Sequence, residues 1–317
     1  MKLYFIAAIT AFVFSLVFCR ICIPVLRKLK AGQNILVYVK EHKGKRGTPT
    51  MGGLGFITAA ILSAVLFISE KNRSLLIAIA IGLAYMIIGL LDDYLKHRHK
   101  ENLGLKAWQK FSFQVIVAIF AGVYCMRAGI TQIYMPFTKA SIYLGGWMIP
   151  LSIFIFTATV NAVNLTDGLD GLAASTAFPF FVCLGILILL QGGEPSFSVL
   201  CFALAGALMG YLPFNLFPAS IFMGDTGSLA LGGFAASIAI FTQNALYIAV
   251  LGSMFVFSVI TVILQVIYYK ATKGKRIFLM APIHHHFQEK GFSETKIAYV
   301  YFAVTLWIGI LCIAMQL

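Results

Sequence analysis

The sequence predicts an all-α, polytopic integral membrane protein of about ten transmembrane helices, on three observations. Of 317 residues, 60% are hydrophobic and only 11% are charged, against about 25% charged in an ordinary soluble domain. The apolar residues fall into runs broken by short polar stretches, such as Glu70 to Arg73, Gln191 to Pro195 and Thr242 to Asn244. The runs approach the roughly 20 helical residues needed to cross a hydrocarbon core.

In chain order the candidate spans are residues 3–26, 51–69, 74–91, 111–126, 147–163, 172–190, 198–214, 227–241, 245–269 and 297–316. The first begins after Lys2, and its apolar run leads into Cys19-Arg20. That is no small-residue cleavage site, so the segment reads as a retained span. Residues 128–146 contain Gly, Pro and β-branched residues and suit a small hairpin. The ninth span continues in polar form toward Lys273 and is expected to bend or break. Without a repeat, a low-complexity tract or a polar segment of domain size, the chain reads as one transmembrane domain over residues 1–317. The six cysteines lie in or beside apolar stretches, and the Cys19/Cys22 pair has no second pair to match it. They read as packing residues and not as a metal or redox site.

A net charge of +13 would suit nucleic acid only if a polar domain presented it, so no nucleic-acid partner is expected. Ten spans put residues 27–50, 92–110, 164–171, 215–226 and 270–296 on one side. With Arg20, that side carries 19 of the 24 Lys and Arg. Short basic loops face the cytosol, which places both termini outside. All five aspartates (Asp92, Asp93, Asp167, Asp170, Asp225) and all six histidines fall on the same cytosolic side. Short outer loops leave little room for polar residues, but that does not account for acids set in apolar flanks.

Five constellations stand out there. Asp92-Asp93-Tyr94 directly follows an apolar span. A charge at the centre of a membrane costs about 2.5–3.5 kcal/mol, and adjacent helical residues point about 100° apart. The two acids are therefore expected to find different partners, one a metal and the other a substrate proton. Asn164, Asp167 and Asp170 are spaced by three and share one face if the segment is helical. Gly168 and Gly171 lie beside them and allow close approach of a ligand or helix. Asp225 stands between Gly224 and Gly227 before an apolar run, as a helix cap or as a ligand of a hard cation. Mg²⁺ typically takes one or two carboxylates with phosphates and waters. His284, His285 and His286 follow Pro282; three consecutive imidazoles cannot converge on one metal from a helix, but they can serve phosphate or a proton. Lys43, Lys45 and Arg46 lead into Gly47-Thr48-Pro49-Thr50-Met51-Gly52-Gly53, cations and hydroxyls that suit a phosphate-bearing ligand. The absence of a Walker A or dinucleotide fingerprint leaves ATP hydrolysis and nicotinamide chemistry without support.

Together the GTPTMGG, DDY, NLTDGLDGLA, GDTGS and PIHHHF segments resemble those of the polyprenyl-phosphate N-acetylhexosamine-1-phosphate transferases, over nearly the whole chain. The triple histidine resembles the branch that uses a muramoyl-pentapeptide donor, and Gln288 departs from it where an acid is expected. The resemblance implies an Mg²⁺-dependent transfer from UDP-N-acetylmuramoyl-pentapeptide to undecaprenyl phosphate in a bacterial plasma membrane. It also implies roles. Asp225 resembles the metal ligand, and Asp92 and Asp93 the pair assisting the lipid phosphate. Lys45, Asn164, Asp167, Asp170, Phe222, Gln265 and His285 resemble nucleotide or sugar contacts, with Phe222 stacking on uracil. Thr50, Lys110 and Asn215 resemble phosphate-side or local support. His284 resembles the catalytic histidine, with His286 on the substrate side. A homodimer is compatible with the sequence.

The nearest rival is the same chemistry with UDP-N-acetylglucosamine. A rival from another class is a secondary transporter of an anionic solute, since membrane carboxylates often mark ion pathways. Acids gathered on one face, without paired interrupted helices, speak against transport.

Overall fold

The computed structural model describes residues 2–29, 47–68, 72–99, 104–138 and 140–317. In order, its helices are α1 (Lys2–Lys28), α2 (Gly53–Phe67), α3 (Arg73–His99) and α4 (Ala107–Ala128). A short ribbon of β1 (Gln132–Tyr134) and β2 (Ser141–Tyr143) precedes α5 (Met148–Thr166), α6 (Leu172–Leu190), α7 (Pro195–Asn215) and α8 (Gly224–Phe241). The chain ends with α9 (Tyr247–Leu251), α10 (Ser253–Ala271), α11 (Ile283–Glu289) and α12 (Glu294–Ala314). Among the described residues, nine helices are long and apolar enough to cross a membrane, and α2 is a shorter apolar helix. The protein is therefore a polytopic, all-α membrane protein. The expected hairpin forms between β1 and β2, antiparallel with Gln132 opposite Tyr143. The ninth span breaks at Gly252, which separates α9 from α10.

Helix α8 is the axis of the bundle. Every residue from Thr226 to Phe241 is buried, and α8 packs on α3, α5 and α2. Its sequence is rich in Gly, Ala and Ser, and small residues let backbones approach where apolar burial alone cannot drive association in lipid. By contrast α1, α4 and α10 bury less than a third of their spans. Trp108, at the start of α4, and Trp147, just before α5, are both exposed at helix ends, the positions of interfacial aromatic belts.

One expectation is corrected. Asn164, Asp167 and Asp170 do not share a helical face, because α5 ends at Thr166 and α6 starts at Leu172. Between them the chain turns, and Gly171 takes a left-handed conformation at φ 74° that a side chain rarely adopts.

Candidate active site

Asp92 and Asp93 sit near the C-terminal end of α3, and Asp225 lies in the first turn of α8. The two helices touch through Gly89, where an added Cβ would lie 2.0 Å from the carbonyl oxygen of Asp225. This contact brings the three carboxylates together, with one oxygen from each lying within 4.8 Å of the others. The adjacent acids do take different partners. Asp93 caps α8 from outside: its Oδ2 accepts from the Thr226 backbone N–H at 2.9 Å and the Thr226 hydroxyl at 2.7 Å, and its Oδ1 from the Asp225 N–H at 3.2 Å. A carboxylate at a helix N-terminus is favoured by the exposed N–H groups and the dipole. Asp92 instead faces Lys96, 2.6 Å from Oδ2, and its Oδ1 accepts from the Leu105 N–H at 2.7 Å.

Asp225 is the meeting point. Its Oδ2 accepts from Lys96 at 2.9 Å and from Lys110, and its Oδ1 from Asn164 Nδ2 at 2.8 Å. Asn164 also donates to Ser228, so the last turn of α5 is tied to the first turn of α8. The cluster can hold a divalent metal ion: its donors are all carboxylate oxygens, the set a hard cation prefers. The two lysines offset part of the charge of the three acids. Lys96 was not singled out from sequence, although its place four residues after Asp92 on one helix is a readable signal. Thr226, 133 residues from Asp93, carries no such signal.

The surrounding segments hold this centre in place. The Pro49–Gly53 stretch pairs with the segment before α8: Phe222 N–H donates to Pro49 O at 2.8 Å, and Gly52 and Gly53 N–H to Phe222 O and Met223 O at 2.9 and 3.1 Å. Thr50 is buried, with its hydroxyl beside Gly224. Gly224 has φ +70°, and a Cβ there would meet both Thr50 and Asp93 at 2.5 Å. Asn215 and Tyr211 both donate to Ile221 O. Asp170 accepts from Ala219 N–H at 2.9 Å, while its own N–H donates to Glu294. In this arrangement Asn215 and Asp170 brace the loop that carries the half-buried Phe222. Lys45, with Lys43 and Arg46, lies outside the described residues.

The histidines pack against Gly168, in the turn that follows α5. A Cβ at that position would lie 2.5 Å from His284 Nε2 and 3.0 Å from His285 Nε2, so α11 rests on the turn between α5 and α6. His284 is 0% exposed, and neither ring nitrogen has a partner among the described residues. Burial, then the neighbouring His285, holds its pKa well below the usual value, so the ring is neutral. His285 Nδ1 bonds Gln288, whose amide donates to Glu294. His286 Nδ1 accepts from Leu279 N–H at 3.1 Å. Gln265 takes Ile277 and Phe278 N–H on its oxygen and gives its amide to Phe278 O, clasping the same loop. Asp167, in the turn itself, has its carboxyl pushed well above the usual range by burial and then by Asp225, Asp93 and Asp170.

An integral membrane bundle with acids, lysines and histidines gathered at one end is the setting of a lipid-linked transferase. The sequence profile of glycosyl transferase family 4 matches residues 75–243, a stretch that includes all five aspartates. The chain is 44% identical to the phospho-N-acetylmuramoyl-pentapeptide-transferase of Clostridium botulinum (strain Eklund 17B / Type B) over 97% of its own length and 94% of the relative's. The proteins of the same name from Clostridium novyi (strain NT) and Thermoanaerobacter sp. (strain X514) are 43% and 42% identical, over 99% and 95% of this chain and 96% and 95% of theirs. The chain belongs to the phospho-N-acetylmuramoyl-pentapeptide-transferase family of membrane enzymes.

Proposed function

We propose that this protein transfers phospho-N-acetylmuramoyl-pentapeptide from its UDP-linked donor to undecaprenyl phosphate, forming lipid I and UMP for peptidoglycan synthesis. The observation that carries this reading is the Asp92–Asp93–Asp225 cluster with its two lysines, set where an apolar groove ends. The groove has a volume of about 360 Å³ and runs along α5 from Leu151 to Val163, walled by α8, α9 and α10. Those 12 residues of helix rise about 18 Å, a length suited to part of a polyprenyl tail. It stops one residue short of Asn164, which bonds Asp225. A lipid held there brings its phosphate to the carboxylates and lysines at the membrane edge.

The reaction is phosphoryl transfer between two polyanions, so positioning and charge neutralisation dominate. A lipid phosphate oxygen attacks the sugar-linked phosphorus, and UMP leaves. Asp225, with Asp92 beside it, would hold Mg²⁺, which when bound would supply Lewis acidity to the diphosphate. Lys96 and Lys110 exchange their carboxylate contacts for phosphate oxygens. Asp92 takes a proton from the lipid phosphate when that group arrives protonated. Asp93 fixes the first turn of α8 and through it the direction of Asp225. Phe222 and the Asp167 turn receive uracil and sugar. The centre faces the cytosol, as the excess of Lys and Arg at its end supports, and the whole chain acts as one transferase domain.

The test is UMP release from the purified protein with undecaprenyl phosphate and Mg²⁺, using the muramoyl-pentapeptide or the N-acetylglucosamine UDP donor. Release with the muramoyl donor alone is the expected result. Release with the glucosamine donor alone overturns the substrate assignment, and solute uptake without UMP release overturns the enzyme reading.

A further inference from the structure

Helix α12 begins at Glu294, directly after its cap Ser293, and Glu294 is only 8% exposed. A buried acid needs partners, and each of its oxygens has one. Oε2 accepts from the backbone N–H of Asp170 at 2.8 Å, and Oε1 accepts from Gln288 Nε2 at 3.4 Å. Gln288 is itself buried, and its Oε1 lies 3.1 Å from His285 Nδ1. Glu294 thus ties the turn after α5 to α11 and its histidines, although Asp170 is 124 residues away in sequence. Asp170 extends the tie, because its Oδ2 accepts from Ala219 N–H in the loop that carries Phe222. One carboxylate therefore braces both segments that border the Asp167–Gly168 turn.

The direction of each bond follows from its chemistry. A backbone N–H only donates, and a carboxylate only accepts. Gln288 must therefore turn its amide nitrogen toward Glu294 and its oxygen toward His285. That oxygen can only accept, so the His285 ring carries a proton on Nδ1. A neutral imidazole has one N–H and one acceptor nitrogen, which puts the lone pair on Nε2. Nε2 is the atom on the Gly168 side, 3.0 Å from where a Cβ there would stand. We propose that Glu294 and Gln288 are positioning residues that hold His285 as its Nδ1–H tautomer. They present its Nε2, as a hydrogen-bond acceptor, to an O–H or N–H of the UDP-linked donor at the Asp167–Gly168 turn. The use of that nitrogen rests on the transferase reading, and the tautomer does not.

The test is the nitrogen NMR spectrum of the full chain in detergent with isotopically labelled histidine, and His285→Asn assigns the signal. The pH is about 8.5, roughly two units above the free histidine value, so that the ring is neutral. Nε2 couples to both ring C–H protons and Nδ1 strongly to one, so the pattern identifies the nitrogen that carries the proton. Wild type shows Nδ1–H. Glu294→Gln keeps the shape and reverses the polarity. Its oxygen must still take the Asp170 N–H, so its amide nitrogen meets Gln288, which turns over and donates to His285 Nδ1. The ring then carries its proton on Nε2. In Glu294→Gln/Gln288→Glu the new carboxylate accepts from both sides and restores Nδ1–H. UMP release follows the same order. KM for the UDP donor rises about tenfold in the single variant, with kcat within about threefold, and returns toward wild type in the double variant. A wild-type ring protonated on Nε2, an unchanged tautomer in Glu294→Gln, or equal KM in the single and double variants overturns the proposal. The first of these outcomes needs no variant to fold. The expected tautomers without UMP release from either UDP donor overturn the transferase reading alone, and the link from Glu294 to His285 stands.

Discussion

Replacing Gly89 by alanine tests whether the α3–α8 contact sets the catalytic geometry. The new Cβ would lie 2.0 Å from the Asp225 carbonyl oxygen and 2.4 Å from its carbon, where real Cβ atoms essentially never come closer than 3.0 Å. Both partners are helix backbone, so no side chain can swing aside, and the helices must part by roughly 1 Å because close-packed interiors have no slack. That displacement carries Asp225 away from Asp92, Asp93 and Lys96 together. Overpacking of this kind costs about 1–3 kcal/mol of stability, and a misplacement of about 1 Å costs roughly 100-fold in rate. The assay is UMP release at saturating substrates and Mg²⁺, with melting temperature measured alongside. Gly146→Ala is the control, since nothing lies within 4 Å of a Cβ there. Turnover of the Gly89 variant within about twofold of wild type, at an unchanged melting temperature, refutes the reasoning.

Two further predictions concern the same centre. The unfolded chain protonates His284 near pH 6.5, while the folded chain resists until a lower pH. The stability this residue contributes is therefore complete above about pH 6.5 and is lost as pH falls toward the folded value. Melting temperature should drop more steeply between pH 7 and 5 in wild type than in His284→Gln, and parallel curves contradict the neutral, buried ring. Lys96→Met removes a cation 2.6 Å from Asp92 and 2.9 Å from Asp225. A more negative cluster should reach half-maximal rate at several-fold lower Mg²⁺, while turnover falls about 100-fold for want of a phosphate counter-ion. A Mg²⁺ titration of UMP release reads both, and no change in either removes Lys96 from the site.

Span positions were legible because lipid demands apolar runs, but helix ends were not. Helix α3 runs to His99, eight residues past its predicted end, because a helix leaving the membrane stays helical after its hydropathy falls. The acids were legible because charge in an apolar flank is costly and needs a reason. Their partners were less so. The pairing of Asp93 with Thr226 and of Pro49 with Phe222 joins segments more than a hundred residues apart, which no local pattern encodes. The spacing of Asn164, Asp167 and Asp170 suggested a helical face, yet Gly171 turns the chain there. In that turn Asn164 reaches Asp225, Asp170 braces the Phe222 loop, and Gly168 seats the histidines.

The most direct test of the central claim is the Mg²⁺ dependence of lipid I formation in wild type and Asp225→Asn. Asparagine can still accept from Asn164 but lacks the charge that would hold a metal and that answers Lys96 and Lys110. The account predicts saturable activation by Mg²⁺ in wild type. In the variant, with the fold intact by melting temperature, it predicts a loss of at least about 100-fold that added Mg²⁺ does not restore. A variant that forms lipid I at the wild-type rate and with the same Mg²⁺ requirement would place the metal and the chemistry somewhere other than this cluster.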